Sequence, residues 1–429
     1  MAAEICYDRK IIWERTLLTM KYISAAALFL SAALFLSACA SGPSPAPTED
    51  RIVIPETTAI PVISPETEPP VPPEEELLSR MSLREKVGQL FIVRPDALDF
   101  DIPFEAMDNS AISGVTALTE AMEAGLRDYP VGGFIHFKKN IQDPKQIRDF
   151  NEALSQALEI PPFLAVDEEG GLVARLANDP DFNLPRFESA AAVGRQGEAA
   201  AGDMGFLIGS YLKEYGFHMD FAPVADVNTN PSNPVIGTRA FSSDPEAAGK
   251  AARAMADGLR RNGILPVFKH FPGHGDTGQD SHLQLAVSRK SLPELLSCEW
   301  IPFQQADNRE AIMVGHIALP EVTGDMVPAN FSPEIIQDHL KGTLQYKGLI
   351  ITDSLSMGAV IREMDSGNAA LQALKAGCHI LLMPASLREA FDTVAASVES
   401  GEFPEETLDE IVLKILKVKL DYHILTPES

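Results

Sequence analysis

The constraint that most limits the fold is an alternation that runs through most of the chain. Apolar, strand-like runs recur at 87–93, 132–137, 163–166, 219–224, 264–268, 311–317, 348–351 and 379–383. Helix-like segments intervene, among them 144–158, 245–262, 292–307, 333–340 and 386–399. Continuously apolar strands separated by helices predict a parallel sheet covered on both faces. Eight such units predict an α/β fold of the (β/α)₈ TIM-barrel type with enlarged loops. A doubly wound open sheet is the competing arrangement. Gly170-Gly171 follows a strand, but no G-x-G-x-x-G opens a helix, so a dinucleotide site is not supported.

In a barrel, residues just after each strand open onto one face. Here those residues are ionisable: Asp167, Asp226, Lys269-His270, His316 and Asp353. Each has a plain structural alternative. Asp167 or Asp226 could cap a helix, His316 could be a satisfied core histidine, and Asp353 could be a turn residue. The richest stretch is 269–282, K-H-F-P-G-H-G-D-T-G-Q-D-S-H. Its Gly and Pro content argues against a helix and predicts a strand running into a shaped loop, with a solvated surface loop as the plain alternative.

The formal net charge of −26 disfavours nucleic acid and anionic surfaces as partners. It suits a neutral or cationic substrate, or simply solubility. The four cysteines, Cys6, Cys39, Cys298 and Cys378, show no metal-ligand spacing and are too few for a disulfide framework. No H-E-x-x-H is present, and neither metal nor cofactor is expected.

The first 39 residues read as an export signal. Residues 22–38 are almost wholly apolar or small, follow Lys21, and end in Leu36-Ser37-Ala38-Cys39. The run is shorter than the roughly 20 apolar residues of a spanning helix. The L-S-A-C tetrapeptide resembles a bacterial lipobox, which implies lipidation of Cys39 and a protein anchored at the cell surface or in the periplasm. A plain cleavable signal or an uncleaved anchor are the alternatives. Met20 is a second candidate start. Residues 40–76 are rich in Pro, Glu and Thr and predict an extended tether. The folded domain is expected at 77–429, opening on a helix that Ser82 caps with Glu85.

With these motifs in place, the chain resembles glycoside hydrolase family 3, in particular its bacterial β-N-acetylglucosaminidase branch, over 77–420. The resemblance rests on K-H-F-P-G-H-G with D-S-H, on A-V-D-E-E-G-G at 165–171, and on D-F-A-P-V-A-D-V-N at 220–228. It rests also on N-P-V-I-G-T-R-A-F at 233–241 and I-T-D-S-L-S-M at 351–357. It implies a retaining exo-enzyme that removes terminal β-linked N-acetylglucosamine through a glycosyl-enzyme, with β-N-acetylglucosaminide glycans such as cell-wall fragments or chitin oligomers as substrates. Asp353 matches the nucleophile. His282 and Asp280 match an acid/base dyad, suited to the task because an imidazole titrates near pH 6.5, about neutral, and a carboxylate stabilises its charged form. Lys269 and His270 match a pair that grips sugar hydroxyls, Asp167 an acceptor, and Arg175 and Arg239 basic contacts. His274 and Asp276 are expected to shape the loop.

There are departures from the family pattern. Leu172 and Ser354 stand where many relatives carry Arg and an acidic residue. The second α/β domain of longer relatives is not expected, and a monomer is. Rival readings are a phosphorylase or a β-glucosidase at the same site, and a sugar-binding surface lipoprotein without catalysis. The last would be expected to lack Asp353 or His282, and both are present.

Overall fold

The computed structural model describes residues 71–278 and 285–426. The expected signal, Cys39 and the tether to residue 70 lie outside them, as do Asp280, Ser281 and His282. Eight parallel strands form one sheet: β1 Phe91–Val93, β2 Gly133–His136, β3 Phe163–Val166, β4 Met219–Asp220, β5 Leu265–Phe271, β6 Ala311–Val314, β7 Leu349–Thr352 and β8 Leu381–Leu382. Neighbours in space are neighbours in sequence, β1 pairs with β8, and a parallel bridge from Ile351 to Ile380 joins β7 to β8. The sheet therefore closes on itself as the expected barrel.

Helices follow each strand: α1 Glu120–Asp128, α2 Pro144–Gln156, α3 Glu198–Glu214, α4 Pro245–Arg260, α5 Leu292–Ser297, α6 Glu334–Thr343, α7 Ser366–Ala376 and α8 Leu387–Glu399. The turns of α6 are of the wide π type. The helix starts follow local chemistry. Asp143 and Asp244 cap α2 and α4, each with Pro at the first helical position, where the missing N–H costs nothing. Ser82 and Glu85 form the expected capping box. Residues Val87 and Gly88, expected in the first strand, belong to that helix, and β1 starts only at Phe91. An earlier helix, Pro73–Arg80, begins ahead of the expected boundary at Leu77.

Other differences also have local causes. The ladder of β4 is short because Pro223 has no N–H to contribute. The helix expected over 292–307 stops at Ser297. Pro302 cannot extend it, and the Trp300 indole turns inward to donate to the Pro272 carbonyl at 3.1 Å. Helix α3 packs so closely on α4 that a Cβ at Gly205 would meet the Met255 carbonyl oxygen at 2.1 Å.

The last helix, Glu405–Asp421, buries Lys419 near the strand starts. Its ammonium donates to Gln89 Oε1 at 2.7 Å and to the Gly132 carbonyl at 3.1 Å, with no carboxylate partner among the described residues. Burial pulls its pKa from 10.5 down to about 7. Between those values the unfolded chain binds more protons than the folded one, so this group makes stability rise with pH from about 7 to 10.5. Lys419→Met is expected to flatten that rise. Chemical denaturation of both proteins at pH 7, 8, 9 and 10 checks it, and parallel curves would refute it.

Candidate active site

The strand ends deliver the ionisable residues to one place. A cavity of about 600 Å³ is lined by Asp167, Arg175, Arg239, Lys269, His270 and Asp353 together. These are all the sequence-predicted catalytic and substrate residues that lie within the described chain. Asp167 follows β3, Lys269 and His270 belong to β5, and Asp353 follows β7. The register of β5 against β6 shifts between Phe268 and Phe271, a bulge at the point where two consecutive side chains both reach the cavity. Arg239 ends a short turn, Gly237–Arg239, in the loop after β4.

Asp167 and Glu169 meet the cations. The Lys269 ammonium lies 2.7 Å from Asp167 Oδ1 and 2.7 Å from Glu169 Oε1. Arg239 clamps Glu169 with two parallel bonds, Nε to Oε2 at 2.8 Å and a terminal nitrogen to Oε1 at 2.7 Å. Arg175 reaches Asp167 Oδ2 at 3.4 Å. Lys269 and Glu169 are each only 3% exposed, so these charges persist because they are paired. Burial alone would raise the Glu169 pKa, but Lys269 and Arg239 outweigh it and hold it at about 2. Asp167 moves the same way: burial pushes it up, and Lys269 and Arg175 bring it below the ordinary value. For Lys269, burial works downward and the two carboxylates win, so its pKa is raised.

Sequence reasoning named Asp167 and missed Glu169. The signal was there, since residues two apart in an extended segment share a face. Glu168, between them, faces the other way. It accepts from the Leu176 and Ala177 backbone N–H groups, each at 2.9 Å, and from the Tyr211 hydroxyl at 2.9 Å. That ties down the segment immediately after Arg175.

Asp226 had been singled out at a strand end without a role. It is fully buried and organises the β5 loop. Its Oδ2 lies 2.7 Å from His270 Nδ1, and its Oδ1 accepts the His274 backbone N–H at 2.6 Å. With Nδ1 turned to Asp226, the ring's second nitrogen, Nε2, is left for a further hydrogen bond. His274 lines the cavity, with its ring against the Thr277 hydroxyl. Asn233, from the N-P-V-I-G-T-R-A-F stretch, donates to the His274 and Thr277 carbonyls at 2.7 and 2.9 Å, joining the Arg239 loop to the β5 loop. Gly275 is needed because a Cβ there would lie 1.8 Å from the Val227 carbonyl oxygen.

Asp353 is held by its backbone N–H to the Val314 carbonyl at 2.8 Å and accepts the Ser354 N–H on Oδ1 at 2.7 Å. His316 takes its structural alternative. It is buried between Asn330 and the Ser354 carbonyl and supports the loop that carries Asp353. Among the described residues, no group of three or more His, Cys, Asp or Glu is arranged to hold a metal ion.

The glycosyl hydrolase family 3 N terminal domain model matches residues 82–418. A protein named Beta-hexosaminidase A from Pseudoalteromonas piscicida is 30% identical over 335 residues, covering 72% of this chain and 56% of its own length. A Beta-hexosaminidase from Methylococcus capsulatus is 38% identical over 276 residues, covering 62% of this chain and 81% of its own. In three dimensions the chain is similar to a glycoside hydrolase family 3 beta-N-acetylglucosaminidase from Paenibacillus sp. str. FPU-7. The TM-score is 0.73 and the identity 31%, over 80% of this chain and 63% of that one. The chain thus spans little more than half of the first relative and under two thirds of the third. With the family match extending from the capped helix at Ser82 into the last helix, and the barrel carrying the expected residues at its strand ends, the chain belongs to glycosyl hydrolase family 3.

Proposed function

We propose that this protein is a retaining exo-β-N-acetylglucosaminidase. The observation that carries the reading is the convergence of Asp353 with Asp167, Arg175, Arg239, Lys269 and His270 on one cavity. The names of its relatives support the sugar, being Beta-hexosaminidases and a beta-N-acetylglucosaminidase.

In the first step an Asp353 carboxylate oxygen attacks the anomeric carbon, and the bond to the leaving oxygen breaks as His282 gives that oxygen a proton. The sugar is then held as an ester of Asp353. In the second step His282 takes a proton from water, the water oxygen attacks the anomeric carbon, and the ester bond breaks. Asp280 orients and charges the His282 ring. Both residues lie outside the described chain, and their roles come from the D-S-H resemblance. Lys269, Arg175 and Arg239 donate to sugar hydroxyls, Asp167 accepts from them, and His270 hydrogen-bonds to them through Nε2. A sugar that leaves these buried groups unpaired loses binding, which supplies selectivity.

The test is a panel of aryl N-acetylglucosaminides and aryl glucosides, each with and without phosphate. The N-acetylglucosaminides should be hydrolysed in preference, with no sugar phosphate formed. Preference for glucosides, or sugar phosphate as the product, would overturn the reading. Within the same panel, His282→Ala should slow poor leaving groups by about 10²–10⁴-fold and activated ones far less.

The L-S-A-C tetrapeptide and the Pro-rich tether lead us to place the enzyme on a membrane through a lipidated Cys39, with turnover of surface or cell-wall glycans as its setting. Acyl chains contribute about 0.8 kcal/mol per buried CH₂, so several on one cysteine would hold it firmly. Cys39→Ser should shift the protein from the membrane fraction to the soluble one, and unchanged fractionation would exclude this anchor.

A further inference from the structure

A second cavity, of about 460 Å³, lies at the end of the barrel where the strands begin, away from Asp353. Lys341 of α6, His379 just ahead of β8, and Lys414 of the last helix all line it. His379 is 4% exposed, and its Nδ1 accepts the Ile350 backbone N–H at 3.0 Å. That bond fixes the tautomer. The ring proton sits on Nε2, which has no hydrogen-bond partner among the described residues.

Neither Lys341 nor Lys414 forms an ion pair or side-chain hydrogen bond among the described residues, although the chain carries 61 Asp and Glu against 35 Lys and Arg. Two carboxylates share the cavity. Glu402 is taken by Lys375 at 2.6 Å, and Glu410 lies one turn before Lys414, beyond ion-pair distance. Burial lowers the pKa of both Lys341 and Lys414, and Lys341 lowers that of Lys414 further, with Glu410 offsetting only part of it. Burial and both lysines depress His379 as well.

A helix C-terminus favours a cation, which accounts for Lys341 in the last turn of α6. It does not account for Lys414 in the interior of its helix, nor for a histidine donor facing the same space. Like charges brought together out of water are unfavourable unless an anion lies between them.

We infer that this cavity binds a tetrahedral oxyanion, either inorganic phosphate or the phosphate of a phosphate monoester, held by the Lys341 and Lys414 ammonium groups and His379 Nε2–H. The volume exceeds that of a bare ion and falls in the range of small-molecule sites. An organic group on the phosphate therefore fits.

The experiment follows thermal unfolding of the full chain at pH 7 and constant ionic strength. The probes are inorganic phosphate, a hexose 6-phosphate and the unphosphorylated hexose. Both phosphates should raise Tm saturably by a few degrees, and the plain hexose should not. Tighter saturation by the hexose phosphate would assign the site to a monoester, and tighter saturation by phosphate to the free ion. Lys341→Met and Lys414→Met should each weaken the effect about tenfold or more. They should leave kcat/KM for an aryl N-acetylglucosaminide unchanged and cause no loss of stability without phosphate, because each removes a repulsion. A rise that does not saturate, or one that sodium chloride reproduces, overturns the inference. So does a rise that survives in both variants. Should either variant fail to fold, the wild-type titration decides alone.

Discussion

Asp353→Asn should lower kcat on an aryl N-acetylglucosaminide by about 10⁴-fold, with KM moving only a few-fold. The substitution is gentle on structure. An Asn oxygen can still accept the Ser354 N–H that Asp353 Oδ1 now takes at 2.7 Å, and the backbone bond to Val314 is untouched. What is lost is an anionic oxygen able to form an ester at the anomeric carbon. The loss corresponds to about 5 kcal/mol of transition-state stabilisation at 1.36 kcal/mol per tenfold. In the wild type, a fluorinated substrate that deglycosylates slowly should add one sugar mass to the peptide containing Asp353, and the variant should show none. An Asn variant retaining more than a few per cent of wild-type kcat would remove Asp353 from the mechanism.

Glu169→Gln should be costly in a different way. Among the described residues, it leaves the Lys269 ammonium with Asp167 as its one ion-pair partner and the Arg239 guanidinium with none. Breaking one member of a buried charge group costs about 3–5 kcal/mol. Denaturant unfolding at pH 7 should show a loss of that order. Because Lys269 and Arg239 would also drift from their positions, KM should rise more than kcat falls. The pH dependence carries its own signature. The folded pKa of Glu169 is held at about 2 against an ordinary 4.5, so its contribution is fully present above 4.5 and is lost as pH falls through about 2. The wild type should lose that increment on acidification, whereas the variant has none to lose. Equal stability of the two proteins at pH 7 would show that the carboxylate is not needed to hold the cations.

The barrel was legible in the sequence because parallel strands buried on both faces are nearly continuous apolar runs, as 163–166 shows without alteration in Phe163–Val166. Lengths were less legible where proline or a buried ring decided them, as at Pro223 and at Pro302 with Trp300. Helix α3 escaped notice because apolar Phe206 and Leu207 stand on its exposed side and blur the stripe formed by Met204, Ile208 and Leu212. At the site, residues named in motifs were found together, since strand ends of a barrel converge. Glu169, Asp226 and Asn233 act through partners far away in sequence, and only the folded chain brings those partners near.

The shared carboxylate of Glu169 also bears on how this cavity can change over generations. Lys269 comes from strand β5 and Arg239 from the loop after β4, yet both meet Glu169 at Oε1. A lone replacement at any of the three strands a buried charge, so single-step drift is blocked even where the sugar would tolerate it. Across a lineage these positions should covary or stay together. A descendant acquiring a new sugar preference would more easily begin from Arg175, whose hold on Asp167 at 3.4 Å is looser.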